Sequence, residues 1–462
     1  MTLCLGKTKV LLVTENGDMY ASGTNANGEL GLGHNNTVRR PTLLDRNVVF
    51  GGNDVVMAAV GMDHAACVTS NGDLWTWGSV QCGQLGIRDD PMECEWIDGR
   101  RMTPYLVPRQ TFNQSPALMV ACGEDFTLLL TVSGQVWSCG SARYGQLGHD
   151  DDLERNVLSL INPVHFGGGA HIGMIAAGNS HSMAVSRTGG TLWTWGDDEC
   201  GQLGQGGVYR SFKPVVIPAT TFNGVGVVSV DGGFDTTMVV TEDGALWGCG
   251  SLAYGELGIA EFEHEALTSC STLQQVVGPD FADGHGVRMA ACGDTNSIVL
   301  AKNNTVWVCG CAVNLRGNTP EYDISWILVP VNHTQFRGSK VVLVDAGAST
   351  FAAVNEDGEV FEWGNHSMVS DLMKQRIGRW HNLPQEHALA VAMGMHSRLG
   401  IDSVYSREVF PADLFHSMMS NMHLVPRAST SPGLLDRLGR KPPTLPHHGQ
   451  QQQDGFNAEE EE

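Results

Sequence analysis

The chain has 462 residues, 42% of them hydrophobic and 17% charged, with 57 glycines and a formal charge of −22. An acidic surface disfavours unassisted binding to DNA phosphates or anionic lipid, because favourable counterion release needs clustered Lys and Arg. No run of about 18 apolar residues occurs, so no membrane-spanning helix is expected. The first segment, MTLCLGKTKVLLV, is broken by Lys7 and Lys9 and lacks a secretory layout, so an intracellular, soluble protein is expected.

In chain order, a unit begins at Gly6, runs through an apolar stretch and the Asn16-Gly17 turn, and ends a second run at Gly23. It is followed by the tetrapeptide Gly28-Glu29-Leu30-Gly31. The same grammar returns as LWTWGSVQCGQLG (74–86), VWSCGSARYGQLG (136–148), LWTWGDDECGQLG (192–204) and LWGCGSLAYGELG (246–258). VWVCGCAVNLRGN (306–318) and VFEWGNHSMVSDL (360–372) are sixth and seventh copies that have lost G-[QE]-L-G. Three markers stay in register: Gly23, Gly78, Gly140, Gly196, Gly250, Gly310 and Gly364 after the aromatic position; Gly6, Gly61, Gly123, Gly178, Gly232, Gly293 and Gly347 before the hairpin; and Phe50, Phe112, Phe166, Phe222, Phe281 and Phe336 between units. A motif repeated at intervals of 54 to 62 residues is architecture and not a catalytic centre.

Each unit reads as short strands, with hairpin turns such as Asn71-Gly72, Ser133-Gly134 and Asp243-Gly244 between β-prone runs. Units of this length fit four strands, and a lone four-stranded sheet exposes an apolar face that only stacking covers. Closing the stack into a ring protects the edges. The fold predicted is therefore all-β, a seven-bladed β-propeller of four-stranded antiparallel blades, over residues 1–404. A half-unit near Gly394 offers an alternative strand for closing the ring. Residues 405–425 are expected to form a short amphipathic helix, and 426–462, rich in Pro, Gln and Glu, a disordered C-terminal tail.

G-x-x-H, an apolar strand, G-x-[LV]-[WY]-x-[WC]-G and G-[QE]-L-G together resemble the repeat of the regulator of chromosome condensation family, over about residues 3–400. The resemblance independently implies a seven-bladed propeller. It also implies, as one possible activity, guanine-nucleotide exchange on a small GTPase, for which the G-x-x-H turns would face the partner. The residues that match are Asp63, His64, Glu124, Asp125, His181 and Asp294. The family's chromatin-bound member uses a basic N-terminal extension, whereas this chain begins on a blade strand, so chromatin or DNA binding is not expected. GRWHN (378–382) is a single, scrambled likeness of the repeats of the family's plant ultraviolet photoreceptor, and photoreception is not expected either.

Chemical motifs are missing. LGKT (5–8) lacks the earlier glycine of a phosphate-binding loop, and there is no G-x-G-x-x-G, H-E-x-x-H or G-x-S-x-G. No cofactor or metal is expected. What remains are loops: the second and fifth units carry insertions that combine carboxylates with aromatics. Asp89, Asp90, Glu93, Trp96 and Asp98 lie in the first, Glu261, Phe262 and Glu263 in the second. Aromatics framed by charge suit a protein-binding rim. The expected function is thus a non-enzymatic scaffold that binds a protein partner, with exchange on a small GTPase as the alternative.

The twelve cysteines include no C-x-x-C, and Cys139, Cys249 and Cys309 stand where other units carry Trp77, Trp195 and Trp363. Thiols in repeat-dictated apolar positions are expected to stay reduced. Thiol titration in denaturant without reductant should report close to twelve reactive groups; about eight or fewer in freshly purified protein would contradict this reading.

Overall fold

The computed structural model describes residues 2–87, 99–207, 209–259, 268–277, 284–313 and 322–364. The half-unit near Gly394, the helix expected at 405–425, the tail from 426 and Phe281 lie outside the described residues. Seven antiparallel sheets follow one another, each made of consecutive strands. They form the seven blades of a propeller. Blade 2 is representative, with strands Val55–Val60, His64–Thr69, Leu74–Ser79 and Arg100–Leu106 paired in that order. Blades 1 to 6 have four strands, and three strands of blade 7 fall among the described residues.

The first strand of each blade is innermost, because first strands of successive blades pack against one another around a central channel. That of blade 1, Thr2–Leu5, meets those of both blade 2 and blade 7, which closes the ring. Closure has an apolar and a polar part. Leu3, Val10 and Leu12 share a core with Leu343, Val344 and Phe351. The buried Asp345 carboxylate of blade 7 accepts the Leu5 N–H of blade 1 at 2.8 Å.

The repeat's residue types follow from two local demands. At Gly78 the register between third and fourth strands shifts, and φ is +107°. A side chain there would collide with the Asp63 carbonyl, so only glycine makes this bulge. The same shift occurs at Gly23, Gly140, Gly196, Gly250 and Gly310. The outermost strands tolerate Pro41, Pro104 and Pro214, as sheet edges do.

Between blades, the leucine of G-[QE]-L-G is at most 1% exposed in all five copies. Its neighbour, the Gln or Glu, turns its carbonyl toward the next blade. Gln84 O receives Thr127 Oγ1 at 2.7 Å and Cys139 Sγ at 3.5 Å. Gln146 O receives Ser182 Oγ at 2.8 Å and Trp195 Nε1 at 2.9 Å. Gln202 O takes Thr237 and Cys249, and Glu256 O takes Ser297 and Cys309, in the same way. Glu29 O takes Trp77 Nε1 at 2.8 Å. Trp and Cys alternate in this slot because each is apolar and each presents one donor. The described Phe markers, Phe50, Phe112, Phe166, Phe222 and Phe336, are buried in the segments between blades, where Phe50, Phe166 and Phe222 meet Trp75, Trp193 and Trp247 edge-on at 5.4–5.7 Å.

The clasp yields a stability prediction. Thr127→Val keeps the shape but removes a buried hydroxyl that serves both Gln84 O and His64 Nε2. It should destabilise the protein by roughly 1–3 kcal/mol, read as a lower urea midpoint. An unchanged midpoint would show that the clasp does not hold the blades.

Candidate functional site at the channel mouth

In each blade the turn between first and second strands begins with glycine, and these turns surround one end of the channel. Their backbones are joined directly. The N–H of Met62 donates to Glu124 O at 3.1 Å, that of Glu124 to Asn179 O at 2.9 Å, and that of Asn179 to Gly233 O at 2.9 Å. Phe234 N–H reaches Gly293 O at 3.3 Å and Asp294 N–H reaches Ala348 O at 3.2 Å. A side chain on Gly233 or Gly293 would run into the next turn's carbonyl, so these close approaches require glycine. The fifth turn corrects the expected register. Gly233, not Gly232, stands in the equivalent place, since Gly233 N–H bonds Thr236 O as Gly61 N–H bonds His64 O.

With the backbone engaged, the second residue of each turn faces the mouth: Lys7, Met62, Glu124, Asn179, Phe234, Asp294 and Ala348. The channel beneath encloses about 140 Å³. The third residue lies farther out. Asp63, Asp125 and, by the corrected register, Asp235 occupy that position, each half-buried. Asp63, Glu124, Asp125 and Asp294 therefore do share one face, as the sequence suggests. Asp235 and Phe234 belong with them, and only the choice between two adjacent glycines hid them.

His64 and His181 do not belong to this face. Both are fully buried, His64 Nε2 bonded to Thr127 Oγ1 at 2.9 Å and His181 Nε2 to Thr237 Oγ1 at 2.8 Å. Each hydroxyl gives its own hydrogen to a Gln carbonyl of the clasp, so the imidazole must be the donor and carries its proton on Nε2. Burial, together with Lys9 for His64, lowers their pKa to about 3 and about 4. In blade 1 the same slot holds Lys9, which is buried, 3.4 Å from Glu29 Oε1 and bonded to the Met62 carbonyl. Burial pulls its pKa down while Glu29 opposes.

The face is acidic, and its carboxylates feel one another. Burial first, then Glu124, Asp63 and Glu154, hold Asp125 above its usual range. Burial and the neighbouring Asp197 push Asp235 up to about 6. Gln202 Nε2 partly relieves that pair, donating to Asp197 Oδ2 at 3.1 Å and Asp235 Oδ1 at 3.4 Å. Burial also raises Asp294, against the pull of Lys7 at 3.9 Å. Met62 and Phe234, 40% and 36% exposed, are apolar points among these charges.

Asp89, Asp90, Glu93, Trp96, Asp98, Glu261, Phe262 and Glu263 lie outside the described residues. The roots of their insertions are described. Both insertions join a third to a fourth strand, and antiparallel order puts such connections at the same end as the glycine turns. Val80 N–H to Gly99 O and Leu252 N–H to Thr268 O pin the two bases, at 3.3 and 2.9 Å. Among the described residues no three His, Cys, Asp or Glu side chains are placed to hold a metal ion, and no helix is long and apolar enough to cross a membrane.

Comparison with known proteins gives a consistent picture. The family model described as the RCC1-like domain matches residues 1–316. The ultraviolet-B receptor UVR8 of Arabidopsis thaliana is 32% identical over 64% of this chain and 61% of its own length. The human E3 ubiquitin-protein ligase HERC2 is 30% identical over 74% of this chain but only 7% of its own length. The chain thus spans less than two thirds of either relative. Among solved structures, Saccharomyces cerevisiae Prp20p, studied for its binding properties to Gsp1p and histones, superposes with a TM-score of 0.63 at 20% identity, covering 84% of this chain and 89% of Prp20p.

The buried histidines predict a pH dependence. Their folded pKa values lie below the ordinary 6.5, so the folded state resists protonation. Stability is full above about pH 6.5 and falls as the pH drops toward 3, by roughly 2 kcal/mol per histidine at pH 5. Asp235 works in the opposite direction, since its raised pKa adds stability on acidification. A His64→Asn/His181→Asn variant, which copies the Asn296 of blade 6, leaves Asp235 in place. The difference between its pH–stability profile and that of the parent should isolate the histidine loss. Parallel profiles would contradict the assignment.

Proposed function

We propose that this chain, which belongs to the RCC1-like domain family, is a non-enzymatic scaffold that binds a protein partner through the channel-mouth face. The observation that carries this reading is the disposition of Asp63, Glu124, Asp125, Asp235 and Asp294 around Met62 and Phe234, on turns whose backbones are already bonded to each other. Rigid, acidic and partly apolar, such a face favours a partner with a basic, apolar-centred surface. The two insertions rooted at the same end would extend it, and their carboxylates and Trp96 and Phe262 fit the same kind of partner.

The second reading is guanine-nucleotide exchange on a small GTPase. It is favoured by the same carboxylates, whose charge could compete with nucleotide phosphates for a GTPase's lysine and magnesium.

The two readings separate experimentally. Full-length protein is used as bait in extracts of its own source, alongside an Asp63→Ala/Asp125→Ala/Asp294→Ala variant and a variant with residues 88–98 replaced by a short Gly-Ser linker. Loss of the recovered partner with the linker variant, the triple variant or both is the expected result. A partner retained by both places the working surface elsewhere. In parallel, labelled-GDP release from GTPases of the same source should not accelerate. Acceleration that the triple variant abolishes would replace scaffolding with exchange.

A further inference from the structure

We propose that Phe234 and Asp294 form a receptor for one cationic side chain of the partner, and that Lys7 of the same chain occupies it until the partner arrives. This rests on the reading of the mouth as a protein-binding face and names the chemistry that the face selects. Of the seven residues that point into the mouth, Lys7 alone is basic. Its ammonium reaches toward the Phe234 and Asp294 side chains. It lies 5.0 Å from the centroid of the Phe234 ring and 3.9 Å from Asp294 Oδ2. Phe234 belongs to blade 5 and Asp294 to blade 6, so Lys7 of blade 1 reaches across blade 7. The residue it passes there is Ala348, the smallest of the seven.

An aromatic face beside a carboxylate offers an ammonium or guanidinium both a quadrupole and a counter-charge. Here the two are held in place before any ligand comes. Each follows a glycine locked against the next turn, and the N–H groups of Phe234 and Asp294 are bonded to Gly293 O and Ala348 O. Occupation by Lys7 is nonetheless easily reversed. The Lys7 and Asp294 side chains are 34% and 31% exposed, and an ion pair in that setting is screened and weak. A lysine or arginine on a partner's surface, drawn in by Asp63, Glu124 and Asp125 nearby, takes the position that Lys7 vacates. Lys7 thereby sets a threshold. It discriminates against isolated cations while admitting a segment that brings further positive charge.

The test uses a fluorescent hexalysine peptide titrated into the full-length protein. Lys7→Ala should bind it about two- to fivefold more tightly than the parent. Lys340→Ala, which removes an equal charge from the opposite end of the blades, should bind like the parent and so controls for net charge. Adding Phe234→Leu or Asp294→Asn to Lys7→Ala should cancel the gain, Phe234→Leu because it keeps an apolar side chain and loses only the ring. Equal tightening by Lys7→Ala and Lys340→Ala, or a gain that survives Phe234→Leu and Asp294→Asn, would overturn the receptor. Binding that ignores all of these but falls with Asp63→Ala/Asp125→Ala overturns it too, while leaving the acidic face intact. Failure of every form to bind hexalysine also overturns it, and the extract experiment then judges the face separately.

Discussion

One main-chain carbonyl in each of the first five blades governs how this structure is joined. The second residue of G-[QE]-L-G cannot bond its carbonyl within its own blade, because the tight turn points it outward. Buried without a donor, such a group costs on the order of 1–3 kcal/mol. Blades 3 to 6 supply a hydroxyl at the start of the second strand and a Trp or Cys in the third, and blade 2 supplies Trp77 alone. Each of the first five blades is therefore completed by its successor. The two units without G-[QE]-L-G are consecutive, and beyond them the Asp345 carboxylate reaches the backbone of blade 1, a contact that Asp231 also makes to the Cys292 N–H between blades 5 and 6.

Much of this was legible in the sequence because it is written several times. The leucine, the Trp or Cys slot and the glycine at the bulge each answer a demand that five or more of the seven units repeat, and repetition separates a structural requirement from chance. The mouth was harder to read for the opposite reason. Its residues differ from blade to blade, so no pattern marks them, and Phe234 and Asp235 came into place only when the hydrogen bond of Gly233 fixed the turn. His64 and His181 match the family's partner-facing turns in sequence, but a threonine more than fifty residues later in the chain, unremarkable in sequence, holds each ring inside. Cross-blade partners of this kind have no local signature.

Rigidity and charge are assigned to different parts of the same turn. The glycine and the backbone fix the geometry, and the fourth residue (Lys9, His64, Phe126, His181, Thr236, Asn296 or Thr350) is buried. The two residues between them carry the character of the face. Burial first, and then the neighbouring Glu124 and Asp63, raise the pKa of Asp125, and that repulsion is the electrostatic cost of crowding carboxylates there. A basic ligand would relieve that repulsion as it binds, so the unliganded face already holds part of the driving force for association.

The bonding of turn to turn has a consequence for how such a face can change through evolution. Where a loop's own side chains hold it in shape, altering its specificity endangers its conformation. Here the amides do the holding, from blade 2 round to blade 7, and the side chains at the mouth are Met, Glu, Asn, Phe, Asp and Ala in turn. No two are alike, yet all rest on the same backbone. Such positions vary with little risk to the turn that carries them, and new recognition can arise by single steps except where the side chains meet, as Asn179 Nδ2 meets Glu124 Oε2 at 3.0 Å and Lys7 meets Asp294 at 3.9 Å.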